Sequence, residues 1–214
     1  MRAYLFAVVG AGLIVPTSLL AAEQWTFEDA TADKLPAGWS SAKTGKGEGS
    51  VWKVQEDASA PAGPHVLTQT SSAGPNPMFN LCVLDKSNYK DVDVGVSFKA
   101  LTGRNDQGGG PVWRYTDANN YYIARMNPLE DNFRLYKVVK GRRMQLASAD
   151  VKAPAGKWHT IRVVQKGEHI QCYLNGKLQL DVKDTTFTAA GKIGLWTKAD
   201  AVTEFDKLIV TAAQ

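Results

Sequence analysis

Histidine and cysteine are scarce in this chain, and their scarcity excludes several chemistries. Only His65, His159 and His169 occur, with no His-x-x-x-His spacing, so no zinc site can be assembled from histidine pairs. No Gly-x-Ser-x-Gly segment is present either, which removes the usual nucleophilic-serine arrangement. The two cysteines, Cys82 and Cys172, stand in no metal-ligand spacing. Whether they pair is open at this stage, because a disulfide requires a Cα separation that sequence does not give. The glycine run in Asp106-Gln107-Gly108-Gly109-Gly110 is followed by no Gly-Lys-Ser/Thr and no helix signal, so it is not a phosphate loop. No cofactor is expected. Dense Lys/Arg runs are missing too, and the formal net charge of +4 is spread along the chain, so nucleic acid is not an expected partner.

Long apolar runs are confined to the first 22 residues. There Arg2 gives a short basic start, an apolar stretch extends from Ala3 to Leu20, and Ala21 and Ala22 supply small residues for cleavage, the pattern of a secretory signal. Gly10, Gly12, Pro16, Thr17 and Ser18 interrupt the stretch, and no second one follows, which argues against a membrane anchor. The domain organisation expected is therefore a signal over 1–22 and one domain over 23–214, secreted or periplasmic and free of the membrane once the signal is removed. About 190 residues suffice for one sizeable core and not for two ordinary domains.

What remains reads almost entirely as strand. No repeat, heptad or helical apolar stripe is visible, whereas short β-branched or aromatic segments alternate with Gly, Asn, Asp and Pro turns. Eleven such segments stand out: Trp52–Gln55, Val66–Gln69, Met78–Leu84, Val92–Leu101, Val112–Tyr115, Tyr121–Asn127, Phe133–Val139, Trp158–Gln165, His169–Leu174, Gly191–Thr197 and Phe205–Thr211. In Asp91–Phe98, valines 92, 94 and 96 share one face with Phe98, opposite Asp91, Asp93, Gly95 and Ser97. Ser40–Ser50 and Ala58–Pro64 read as surface loops. The spacing predicts an all-β sandwich with two antiparallel sheets, its first and last mature strands adjacent.

The segment from Trp158-His159 through an alternating strand, the Gly167 turn, and a second strand ending Asn175-Gly176-Lys177 resembles the laminin G-like and concanavalin A-like lectin/glucanase superfamily. The resemblance implies a jelly-roll sandwich whose concave face meets carbohydrate. Gly194-Leu195-Trp196-Thr197-Lys198-Ala199-Asp200 and Phe205-Asp206, with the Asp106–Asn132 region, are also similar to bacterial exported keto-disaccharide hydrolase-like domains. The glucanases of the superfamily carry Glu-x-Asp-x-x-Glu. Here Glu204-Phe205-Asp206 supplies the first half and Ile209 stands in place of the second glutamate, so their acid/base pair is incomplete.

Function candidates concentrate between Asp106 and Asn132. Two strands joined by a turn at Asp117–Asn120 would project Arg114 and Arg125 among aromatic residues. Guanidinium forks bind hydroxyls or carboxylates and aromatic faces bind the C–H side of a pyranose, so Arg114, Tyr121, Arg125, Asn127 and Trp196 form the expected ligand-binding set for a glycan or oligosaccharide. The alternative is a sheet whose aromatics fill the core and whose arginines pair with Asp117, Glu130 or Asp131. A catalytic role as a glycoside or keto-disaccharide hydrolase requires two convergent carboxylates among Asp106, Asp117, Glu130 and Asp200. No catalytic residue is assigned. Glu28, Asp29 and Asp206 would offer oxygen ligands to a calcium ion if the chain ends meet; solvated acids at strand ends are the alternative. Oligomeric state is not legible. If the signal is cleaved after Ala22, mass spectrometry of protein exported by its native host will find an N-terminus close to Glu23, and intact Met1 on the bulk of the material would refute cleavage.

Overall fold

The computed structural model describes residues 22–213, so the signal segment lies outside it except for Ala22. Every named element among the described residues is a strand, and every strand pair is antiparallel. In chain order they are β1 (Glu23–Trp25), β2 (Trp39–Thr44), β3 (Trp52–Glu56), β4 (His65–Gln69), β5 (Phe79–Leu84), β6 (Val92–Thr102), β7 (Gly110–Asp117) and β8 (Asn120–Asn127). Next come β9 (Asn132–Val139), β10 (Arg142–Asp150), β11 (His159–Lys166), β12 (His169–Leu174), β13 (Lys177–Lys183), β14 (Lys192–Lys198) and β15 (Val202–Ala212). The first sheet runs β13-β12-β11-β6-β15-β4-β3, with β1 also on β15; the second runs β10-β9-β8-β7-β14-β5-β2. This is the jelly-roll sandwich that the period-2 patterning predicts.

The main core lies between the sheets. Val92, Val94, Val96 and Phe98 from β6 meet Trp113, Ala124, Leu135 and Leu195 from the second sheet, all buried. Asp93 of β6 points outward and forms a bidentate pair with Arg162 on β11. The thiols of Cys82 on β5 and Cys172 on β12 are free and fully buried in this core, where burial pushes both upward in pKa. A left-handed Lys207 (φ 50°) marks a register shift in β15 between Asp206 and Ile209. Below the shift Thr203–Phe205 pair with β4, and above it Leu208–Val210 pair with β1, with Glu23 opposite Val210. The first and last strands are thus adjacent, as expected.

The sequence signature at Trp158-His159 and Asn175-Gly176 has a local cause. The Asn175 carboxamide accepts the Thr160 N–H (2.9 Å) and lies 3.1 Å from His159 Nδ1, closing the open end of the β11–β12 hairpin. Trp158 Nε1 donates to Asp57 (3.1 Å), tying the 57–64 loop to the outside of the first sheet.

The sequence expectation fails at the edges. Ser40–Ser50 reads as loop in sequence, but Trp39–Thr44 is an edge strand of the second sheet, paired along its length with β5. Its two serines and one lysine are polar because an edge strand here needs only one partner. Ser50 anchors the turn into β3 by donating to the Ala42 carbonyl (2.5 Å) and receiving the Trp52 indole N–H (3.2 Å). β1, β10 and β13 escape detection too: β10 and β13 are edge strands, and β1 is three residues long. All three leave many side chains exposed, so no apolar alternation marks them.

One polar clamp joins the chain after β13 to the second sheet. Asp184 accepts from the Tyr122 hydroxyl (2.5 Å) and the Lys137 ammonium (2.7 Å). Burial alone would raise its pKa, but these partners and Thr186 hold it down at about 2. A depressed carboxylate contributes its stability in full above the ordinary aspartate value of about 3.9, and loses it as the pH falls through the folded value. Wild-type stability should therefore fall between pH 4 and about 2 more steeply than that of Asp184→Asn, measured by urea denaturation across that window. Parallel pH profiles would show that the clamp contributes nothing.

Candidate functional site

The second sheet curls until its far strands touch. Arg143 on edge strand β10 places its guanidinium 5.2 Å from the ring of Phe79 on β5, although β5 is five strand positions away in the sheet order. In a flat sheet that separation would be about 24 Å, since strands lie about 4.8 Å apart. Thr44 on the opposite edge strand, β2, bonds the Ala118 carbonyl in the β7–β8 hairpin and the Tyr121 hydroxyl (2.8 Å). Side-chain-free positions allow the close approach. A Cβ on Gly110 would stand 2.0 Å from the Ala124 carbonyl oxygen, and one on Gly109 would stand 2.2 Å from that of Trp196. The glycine run therefore serves strand packing, with Gly110 inside β7 and Gly109 bridging Met126.

The curl creates a trough with two unlike halves, because alternate residues of each strand point into it. One half is filled by a second apolar cluster that includes Leu81, Val112, Tyr121, Ile123, Val138 and Trp196, all fully buried. Phe79 packs on Trp196 with ring centroids 5.2 Å apart, and Tyr115 stacks on Tyr121 at 6.0 Å. Further along the same strands, the residue type changes from apolar to charged: β8 goes from Tyr121 and Ile123 to Arg125 and Asn127, β9 from Val138 and Tyr136 to Arg134, and β14 from Trp196 to Lys198.

The charged half is held by two carboxylates. Asp106 accepts from the Lys198 ammonium (2.9 Å) and the Asn127 amide (3.2 Å), and it is fully buried. Asp200 accepts the backbone N–H groups of Arg104, Asn105 and Asp106 at 2.8–3.1 Å, which shapes the turn that delivers Asp106. Burial would raise the Asp200 pKa, and those three amides hold it low. Glu130 accepts from Arg125 (3.1 Å) and Arg134 (2.9 Å); burial again opposes the charge, and Asn132 and the arginines lower the pKa. Arg143 lies where the halves meet, 4.4 Å over Tyr136 and 5.8 Å from Trp196.

Of the five residues expected from sequence, the structure brings Tyr121, Arg125, Asn127 and Trp196 into this trough and puts Arg114 elsewhere. Arg114 sits at a bulge in β7 with φ +46°, and its guanidinium donates to the carbonyls of Lys90 (2.9 Å), Gly167 (2.8 Å) and Phe187 and to Asp91 (3.2 Å). It bolts three loops together at the rim between the sheets. Tyr121 and Trp196 are wholly buried, and the indole N–H lies near the Tyr121 hydroxyl without completing a hydrogen bond. They are floor, covered by Arg143 and the curled edges. Among the four acids weighed for catalysis, Asp106 and Glu130 belong to the trough. Asp117 caps its own turn through the Asn119 N–H (2.7 Å), and Asp200 is occupied by backbone.

Sequence reasoning missed Arg134, Arg143 and Lys198. Lys198 was accessible by parity, being two residues beyond Trp196 on the same strand; Arg143 was not, because β10 carries no alternation. Other acids are placed outside the trough. Glu204 and Asp206 face outward on the first sheet, where Glu204 meets Lys99 (2.8 Å) and Asp206 accepts the Ala62 N–H (2.8 Å). Glu28 lies near enough to Asp206 to raise its pKa in addition to burial, yet its carboxylate accepts the His65 N–H (2.9 Å), and no group of three potential metal ligands occurs among the described residues. Two cavities of about 510 and 460 Å³ flank Trp25 at the N-terminal segment and share no residue with the trough.

Residues 27–211 match the model of the 3-keto-alpha-glucoside-1,2-lyase-like domain. The chain belongs to this family. No curated protein sequence matches it significantly. Among solved structures, the lyase-like domain is similar to the carbohydrate-binding module CBM66 of Bacillus subtilis (TM-score 0.65, 16% identity, covering 82% of this chain and 96% of the other). It is likewise similar to a cellulose-induced protein (TM-score 0.65, 13% identity, 89% and 97% covered) and to a glycosidic hydrolase in its native form (TM-score 0.58, 12% identity, 93% and 99% covered). At these identities the likeness is one of fold. As floor rather than exposed platform, Trp196 should cost about 3–5 kcal/mol of folding stability when truncated to alanine. Equilibrium denaturation measures this directly, and an unchanged midpoint would place the indole outside the packing.

Proposed function

We propose that the domain is an exported saccharide-recognition module and that the charged half of the trough is its binding surface. The observation that carries the reading is the abrupt change of residue type along β8, β9 and β14, where a sealed aromatic floor gives way to Arg125, Asn127, Arg134 and Lys198. Such an arrangement supplies directed donors for sugar oxygens beside an immobile apolar wall. Membership of a sugar-lyase-like family and the likeness to a carbohydrate-binding module support it. Export rests on residues 1–22.

A second reading, catalysis, is favoured by the pair Asp106 and Glu130 together with the family. In a 3-ketoglycoside the carbonyl acidifies the C2–H bond. A base takes that proton, the C1–C2 double bond forms as the C1–O bond breaks, and the departing oxygen gains a proton. A carboxylate of the trough would serve as the base and its cations would stabilise the negative charge developing on the C3 oxygen.

A glycan array followed by calorimetric titration of the best hit tests recognition. Arg134→Ala, which removes a partly exposed guanidinium of the trough, should weaken binding about tenfold or more, equivalent to about 1.4 kcal/mol, with the fold retained because Glu130 keeps Arg125 as its partner. Unchanged affinity in the folded variant would remove the trough, and an array without hits would remove recognition. Release of sugar from a 3-ketoglycoside, abolished in Asp106→Asn, would establish the catalytic reading in its place.

A further inference from the structure

We infer that the saccharide bound by this trough is anionic, carrying a carboxylate or sulfate ester that seats against Arg143; this rests on the saccharide reading of the trough. The local charge balance is the starting point. Arg125, Arg134, Arg143 and Lys198 face Asp106 and Glu130, with exposed Asp150 near Arg134 as a third carboxylate; Asp106 is committed to Lys198 and Glu130 to Arg125 and Arg134, so the cations still outnumber the anions. Arg143 makes no ion pair and no hydrogen bond with any described residue, and its Nη1 is buried without a partner. Arg125 is 1% exposed, and its Nε is likewise unpartnered. Two guanidinium groups with unmet donors therefore lie in one trough, close enough that Arg125, together with burial, depresses the Arg143 pKa while Tyr136, Asp106 and Glu130 oppose that effect.

Buried charges are ordinarily paired, and an unmet guanidinium donor is a standing cost that an anion relieves more fully than a neutral hydroxyl does. The Arg143 guanidinium carbon lies 4.4 Å from the Tyr136 ring centroid and 5.8 Å from that of Trp196, and a guanidinium presents its N–H groups as a planar fork that matches a carboxylate or sulfate in two-point contact. Access to Nη1 requires Arg143 to turn on its side chain. Its strand permits this, because β10 is the edge of the sheet.

The test uses the mature protein and saccharides of one skeleton prepared in neutral, uronate and sulfated forms, with affinities compared by calorimetry. An acidic form should bind at least about tenfold more tightly than its neutral counterpart, and that margin should shrink as salt rises from about 0.05 to about 0.5 M. Arg143→Gln should erase the margin while neutral binding persists. Arg143→Lys, which keeps the charge and loses the fork, should retain part of it. Lys177→Gln, on exposed β13 of the other sheet, should leave it intact. The comparison of uronate with sulfate identifies the source of the charge. Equal or tighter binding of the neutral form overturns the inference and leaves saccharide recognition standing; no binding by any form overturns both. An acidic preference that survives Arg143→Gln, or that Lys177→Gln reduces as much, is general attraction to a basic protein and also overturns it.

Discussion

The curl of the second sheet is the constraint on which the functional surface depends. A sandwich with two flatter sheets would bury one face of each and leave the others wet, so Tyr121, Trp196 and Phe79 would be exposed hydrophobic side chains. Bending the sheet until β10 and β2 approach the same interior gives those residues a second core of their own. It also gathers charged side chains from β8, β9, β10 and β14 into a space where water is limited, and there their mutual pairing is settled by few partners. Asp106 and Glu130 become the organising anions, and Arg143 is left over.

Much of the fold was legible from its interior strands. β6, β11 and β12 show the period-2 pattern, while β8 and β9, buried on both faces, stand out as aromatic and β-branched segments between turn residues. Edge strand β3 was legible because Trp52 and Val54 alternate into the core, but β2 and β10 were not: they carry Ser, Lys, Arg and Gln at positions that a central strand would fill with valine. The same blindness extended to the site. Arg125, Asn127 and Trp196 lie on readable strands, whereas Arg143 comes from a strand with no signal and reaches Phe79 only through curvature, a property that local patterning does not encode.

Arg114 and Arg125 teach the complementary lesson. In sequence they are near-equivalent arginines on adjacent strands of one hairpin, and parity alone would put them together. A left-handed residue at the β7 bulge turns Arg114 toward the seam between the sheets, where backbone carbonyls meet its donors, while Arg125 keeps regular strand geometry and points into the trough. One backbone angle separates a structural tie from a site candidate.

The pairing of β1 with the last strand has a mechanical consequence. Because the two run antiparallel, with Glu23 opposite Val210, both ends of the described fold emerge at the same side of the molecule. A pull on the two ends would load their ladder one hydrogen bond at a time, as a zipper opens, instead of shearing all of it together. The three-residue β1 would peel away first, while the second sheet, which carries neither end, would remain unstrained with its charged trough intact.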